Sequence, residues 1–481
     1  MALAIGFLTG CADGNSQPRT ITLFECRLPK LPVAAECGTL EVPENRGNPE
    51  GRKIVISIAL LRANTLNPLS DPLFILAGGP GQAATYLGPF AEKLTEVRKK
   101  RDIVLVDQRG TGRSSPLICA AFKVTAMQTS ILEPDATRKA AACAKELVDQ
   151  GIDAGQYTTS AWIDDLDAVR SGLGYKKINL WGGSYGSRVA IEYVRRYSSH
   201  VRSVVLDGVV PPSMKISLDV WQKRDAALSK IIDECAKLPY CKAAYPELRN
   251  ALATISATLG TNGKEVALIN PRSGQLQKQH LRFDHIIGAL QSLTYSPELS
   301  VFLPEIISRA AAGDYGPLYA SAVQATTDLV TQINNAVYYS VTCAEDTPRV
   351  KPGDIERALK NTLSKSLAER NLEVCKYWPK GILADDAAQP IESALPTLIL
   401  SGGLDPVTPP ENGAALVRTL PSSRHIVARG YGHIVSPHAC GPRLIAAFID
   451  QLELFSLPIA CINHFEISNG PALWADGLGR Q

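Results

Sequence analysis

Lys177-Ile-Asn-Leu-Trp181, Gly182-Gly183-Ser184-Tyr185-Gly186, Ser187-Arg-Val-Ala-Ile-Glu-Tyr-Val-Arg-Arg196 is the stretch on which the fold turns. Its first five residues read as a short buried strand, with Ile178, Leu180 and Trp181 apolar and no helical period. Its last ten put Val189, Ala190, Tyr193 and Val194 on one helical face, with Arg188, Glu192 and Arg195 away from it. Between them lies Gly-x-Ser-x-Gly. A serine held at a sharp strand-to-helix turn is lifted clear of the sheet, beside the amides that open the helix. Gly182 and Gly186 let strand and helix pack closely enough for that turn to form. With glycine near 7% of average composition, the bare motif arises by chance in roughly one chain of this length in five or six. A meaning for Ser184 therefore requires an acid and a histidine at the right places downstream.

The surrounding pattern alternates strands with helices. Apolar, β-branched runs at 52–62, 73–77, 102–106, 201–206, 396–401 and 425–428 read as further strands. Thr159 and Ser160 read as caps of a helix whose first turn carries Asp164 and Asp165 and which ends near Gly172 or Gly174. This rhythm predicts an α/β fold, a mostly parallel sheet with helices on both faces. It breaks at Pro211-Pro212, and residues 213–390 read as an inserted helical lid. The expected organisation is 1–20 signal and tether, 21–212 first part of the core, 213–390 lid and 391–481 second part of the core.

In such a sheet the acid and the histidine of an acyl-transfer triad follow the serine, on loops after the last strands. Leu398-Ile-Leu-Ser-Gly-Gly-Leu-Asp405-Pro406 fits the acid position, and Gly430-Tyr431-Gly432-His433 fits the base. The expected roles are nucleophile for Ser184, general base and acid for His433, and orienting carboxylate for Asp405. Asp207, which also ends a strand, is a rival acid, although support of a turn through Gly208 accounts for it better. His425 and His438 read as structural. The oxyanion hole needs two N–H groups, for which Tyr185 and Gly79 are expected, with Gly78 in reserve; Pro80 has no N–H to give.

Taken together, Gly78-Gly79-Pro80-Gly81, Asp107-Gln-Arg-Gly-x-Gly-x-Ser114, Gly182-Gly-Ser-Tyr-Gly186, Val205-Leu-Asp-Gly208 and Gly402-Gly-x-Asp405 resemble one family. It is the prolyl iminopeptidase and tripeptidyl aminopeptidase branch of the α/β-hydrolases, serine peptidase family S33. The segment around Asp405 and His433 is similar to the C-terminal region of tripeptidyl aminopeptidase-like members. Many members carry His before the first glycine, where this chain has Ala77. The resemblance implies an α/β-hydrolase fold with a lid, no cofactor, and removal of residues from the free N-terminus of peptides. It also implies lid carboxylates that hold the substrate amine, and Glu345 and Asp346, beside Cys343, are the expected pair. The same triad serves esters, so a carboxylesterase or lipase is the alternative. A non-catalytic binding protein is a third reading, and the presence of Ser184, Asp405 and His433 speaks against it.

Composition narrows the setting. Fifty Lys and Arg against forty-seven Asp and Glu give +3, which excludes a nucleic-acid binder built on bulk charge. The basic run Arg98–Arg101 closes a helix-like segment, where positive charge is expected. No metal-ligand spacing occurs among the eleven cysteines. Setting Cys11 apart leaves ten, and an even set scattered through a large chain suggests disulfides and export. Pairing neighbours in sequence gives Cys26 with Cys37, Cys119 with Cys143, Cys235 with Cys241, Cys343 with Cys375 and Cys440 with Cys461. Leu8-Thr-Gly-Cys11 after an apolar run resembles a bacterial lipobox, although no Lys or Arg precedes it. The expected setting is a bacterial envelope or periplasm, with a lipid on Cys11 as membrane attachment, peptide or ester substrates and a monomeric state.

Overall fold

The computed structural model describes residues 21–122, 136–260, 262–330 and 332–462. Cys11 and the rest of the lipobox-like tether lie outside them. The strands are β1 (Phe24–Cys26), β2 (Ala35–Pro43), β3 (Lys53–Leu61), β4 (Leu73–Leu76), β5 (Ile103–Val106), β6 (Ile178–Gly183), β7 (Val201–Asp207), β8 (Lys264–Ile269), β9 (Leu276–Leu281), β10 (Thr397–Gly402) and β11 (Ser423–Ala428). Nine of them form one sheet in the order β1-β2-β3-β5-β4-β6-β7-β10-β11, while β8 and β9 make a separate ribbon. From β5 to β11 every pairing is parallel. The first three strands run antiparallel and join through β3 to β5.

The parallel strands are short and apolar throughout because both faces are covered. Along β4 the residues alternate between two cores. Phe74 and Leu76 pack with Leu166, Val169, Val189 and Tyr193, from the helices Thr159–Gly172 and Tyr185–Tyr197. Leu73 and Ile75 face the opposite way, with Leu444 and Phe448 of the helix Gly441–Gln451. Residues 73–76 are all buried, and at roughly 1.5–3 kcal/mol per large apolar side chain such burial is the main force holding the sheet.

Between β7 and β10 the chain builds a mainly helical insertion with its own core, in which Leu228, Ile232, Ile255, Leu290 and Ile307 meet. Not all of it belongs to that body. The helix Asn335–Glu345 returns to the sheet and buries Ala336, Val337 and Val341 in the main core. The ribbon β8–β9 was not expected in a helical block.

Local departures have simple causes. The helix expected to be capped by Thr159 or Ser160 is capped by Thr158, whose hydroxyl accepts from the Ala161 amide at 3.3 Å. Asp164 and Asp165 consequently sit in the second turn. Arg188, expected on the polar face, is buried and paired with Asp346 at 2.9 Å. The five cysteine pairs join as sequence neighbours: 26 with 37, 119 with 143, 235 with 241, 343 with 375 and 440 with 461. Among the described residues no helix is long and apolar enough to cross a membrane.

Candidate active site

Ser184 follows the last residue of β6 and precedes the helix Tyr185–Tyr197, with φ +55° and ψ −126°. Such a backbone is costly for a residue with a side chain and persists only where its surroundings enforce it. They do so closely here. A Cβ on Gly182 would strike the Gly186 carbonyl oxygen, and one on Gly186 would strike that of Leu76. Between Ile178 and Val194, Ser184 is the single residue that is not buried. The turn expels one hydroxyl and hides everything around it.

That hydroxyl lines a cavity of about 460 Å³ shared by Gly78, Gly79, Thr408 and His433 from the core and Arg224 and Tyr295 from the lid. His433 follows β11, and its Nδ1 lies 2.8 Å from Asp405 Oδ2, on the loop after β10. Asp405 is fully committed. Its Oδ1 accepts from the amides of Val407 (2.9 Å) and Thr408 (2.7 Å), and its Oδ2 also accepts from Thr408 Oγ1 at 2.6 Å. Burial opposes its charge, but the His433 imidazole and these donors outweigh it and hold the carboxyl below its ordinary range. A charged carboxylate only accepts, so Nδ1 carries a proton, and in the neutral ring that leaves the lone pair on Nε2.

The amide of Tyr185 is the first of the elbow helix and has no intrahelical acceptor. Gly79 lines the cavity with φ +107°. Gly78 is the poorer donor, because its amide already points at Gln82 Oε1, 3.3 Å away. The motif Asp107–Ser114 is tied to Thr85, four residues beyond Gly81. Asp107 Oδ1 accepts from the Thr85 amide and hydroxyl, both at 2.9 Å, and its Oδ2 from the Arg113 amide at 3.1 Å. Two residues on, Arg109 makes a paired contact with Asp165 (2.7 and 2.8 Å) with neither side chain exposed.

Glu345 and Asp346 are not at this cavity, which corrects their expected role as amine ligands. Glu345 accepts from the Thr159 amide (2.6 Å) and hydroxyl (2.8 Å), and Asp346 binds Arg188, Arg349 and the Ile216 amide. Both are buried, with their oxygens satisfied by the protein. Burial pushes the Glu345 carboxyl up to about 7, against the opposing pull of Arg188.

Asp207, the rival acid, accepts from the amides of Val435 and Ser436, beyond the histidine. His425 bonds Ser401 and stays away from the cavity. His438 does line it, with Nδ1 3.9 Å from Glu298. Sequence reasoning missed Arg224 and Tyr295, whose place depends on how the lid folds back.

A family model described as alpha/beta hydrolase fold matches residues 71–231, which span β4 to the lid and include the elbow. The chain has the α/β-hydrolase fold. A second model, described as TAP-like protein, matches residues 360–457 and takes in Asp405 and His433. The hydrolase is 26% identical over 426 residues to serine protease Hip1 of Mycobacterium tuberculosis, covering 82% of this chain and 81% of that protein. It is 26% identical over 429 residues to tripeptidyl aminopeptidase of Streptomyces lividans, covering 84% and 78%. Proline iminopeptidase of Neisseria meningitidis is 28% identical over 168 residues, covering 35% of this hydrolase and 41% of that protein.

Proposed function

We propose that the chain is an exported serine peptidase that works from the free N-terminus of peptides, of tripeptidyl or prolyl type, through an acyl-enzyme on Ser184. The observation that carries this reading is the Asp405–His433 pair at a cavity that Ser184 also lines. His433 Nε2 takes the Ser184 proton as Oγ bonds to the carbonyl carbon. The oxyanion is held by the amides of Gly79 and Tyr185. Collapse breaks the C–N bond as the imidazolium returns its proton to the leaving amine. Water then repeats the sequence, and the acid departs with Ser184 restored. The named relatives support peptides as substrates. Five disulfides support an oxidising compartment outside the cytoplasm, and the lipobox-like Cys11 supports attachment to an envelope membrane.

A carboxylesterase is the second reading. It is favoured by the absence of any carboxylate among the described residues that line the cavity, where a substrate ammonium would need one. The test is a panel of free-amine peptide amides, their N-acetyl forms and short-chain esters, with Ser184→Ala as control. Cleavage of free-amine peptides well above N-acetyl forms supports the aminopeptidase; activity on esters alone supports the alternative. If a fluorophosphonate does not label Ser184, both are lost.

A further inference from the structure

Apart from its histidines, the cavity over Ser184 holds one ionisable side chain with a fixed charge, Arg224. No Asp, Glu or Lys accompanies it among the described lining residues. Arg224 comes down from the lid helix Ile216–Lys237. Its guanidinium stacks near the rings of Trp221 (5.1 Å) and Tyr295 (5.6 Å), and its Nη2 donates to Tyr295 Oη at 2.8 Å. Its Nε is buried with no hydrogen-bond partner.

The acids nearest in sequence are engaged elsewhere. Asp219 accepts from the Lys215 amide, and Asp225 accepts from the Leu363 amide, Ser364 and Gln291. The preceding cation, Lys223, turns to Asn412. Among the described residues no carboxylate pairs with Arg224. A partly buried cation without a counter-charge is unfavourable, and two aromatic faces offset only part of that. What would complete the site is an anion with two acceptor oxygens, which the planar guanidinium fork fits better than any other side chain.

We propose that Arg224 binds a carboxylate of the substrate, so that the hydrolase prefers short peptides presenting a carboxylate within the cavity. The carboxylate is either the peptide's own C-terminus or an Asp or Glu side chain. The inference rests on Ser184 as the nucleophile of this cavity. It adds a specificity residue to the lid and explains why the lid supplies a cation where an acid was expected.

The experiment uses the full chain and two matched substrate pairs. One pair is a free-amine tripeptidyl fluorogenic amide with Glu or Gln at one position, and the other is a tetrapeptide acid with its carboxamide. Wild type should favour the carboxylate member of one pair by about tenfold or more in kcat/KM, mostly through KM, as expected for a charge-assisted hydrogen bond. The pair that discriminates identifies the source of the carboxylate. Arg224→Met should bring that ratio to within about twofold, and Arg224→Lys should retain part of it. As a check that needs no variant, the product acid should inhibit wild type about tenfold more strongly than its amide. No preference in either pair, or a preference that survives Arg224→Met, overturns the proposal. Fluorophosphonate labelling separates the two failures: labelled Ser184 without preference removes Arg224 alone, whereas unlabelled Ser184 removes the nucleophile as well.

Discussion

Asp207 is bonded to Ser436: its Oδ2 accepts the Ser436 amide at 2.7 Å, while its Oδ1 accepts that of Val435 at 3.0 Å. The end of β7 thereby holds the loop that carries His433, and Trp181 Nε1 adds a bond to Ser436 Oγ at 2.9 Å. In Asp207→Asn an amide group would face one of the two backbone N–H donors and leave it unmatched. The expected result is a loss of about 1–3 kcal/mol in stability, with kcat falling more than KM rises. Denaturant melts and steady-state kinetics on one substrate check both.

Asp405 should matter through His433 alone. Asp405→Asn preserves the size of the side chain but can present an N–H toward Nδ1, which favours the tautomer that protonates Nε2. A fall of about 10⁴-fold in kcat is expected, with Ser184 still present but slow to react with a fluorophosphonate. Single-turnover acylation separates this from a binding defect.

Glu345 gives a pH signature in stability rather than in catalysis. Its carboxyl is raised from 4.5 to about 7 by burial. A group raised in this way stabilises the fold in its protonated form, and the contribution disappears as pH rises from about 4.5 through 7. The magnitude is on the order of a few kcal/mol. Glu345→Gln can keep the bonds to Thr159, so its melting temperature should decline less between pH 5 and 7 than that of wild type. Parallel curves would reject the assignment.

Arg109 ties the loop after β5 to the helix Thr159–Gly172. Besides Asp165 it reaches the carbonyls of Glu44 (2.7 Å) and Gln156 (2.9 Å). Arg109→Met leaves Asp165 with the half-exposed Arg46 as its remaining cation. A destabilisation of about 3–5 kcal/mol is expected. Adding Asp165→Asn should recover part of it, which a double-mutant cycle measures.

The parallel sheet could be read in advance because strands covered on both faces must be apolar without interruption, as Leu73–Leu76 and Ile103–Val106 are. The elbow, and the meeting of Asp405 with His433, follow from the same strand order. Of the antiparallel edge β3 was legible, but β1 and β2 were hidden. β2 alternates buried and exposed residues across Ala-Glu-Cys-Gly-Thr-Leu-Glu-Val-Pro, whose glycine and proline resemble a turn, and β1 has three residues. The lid ribbon was hidden as well, since Gln277, Lys278, Gln279 and His280 carry little apolar signal. Glu345 and Asp346 were misjudged because sequence shows an acidic pair beside a cysteine but not the Thr159, Arg188 and Arg349 that satisfy it. Arg224 was missed for the converse reason: one arginine among fifty cations is visible as a cavity residue only once its neighbours are known.

The backbone amide of His433 donates to the carbonyl oxygen of Tyr295, in the lid, at 2.8 Å, and the two rings meet edge to face with centroids 5.4 Å apart. The residue that roofs the cavity therefore also braces the base beneath it. The cover of the cavity and the seat of its base thus share one residue, and a displacement of Tyr295 would break the backbone bond and the ring contact together.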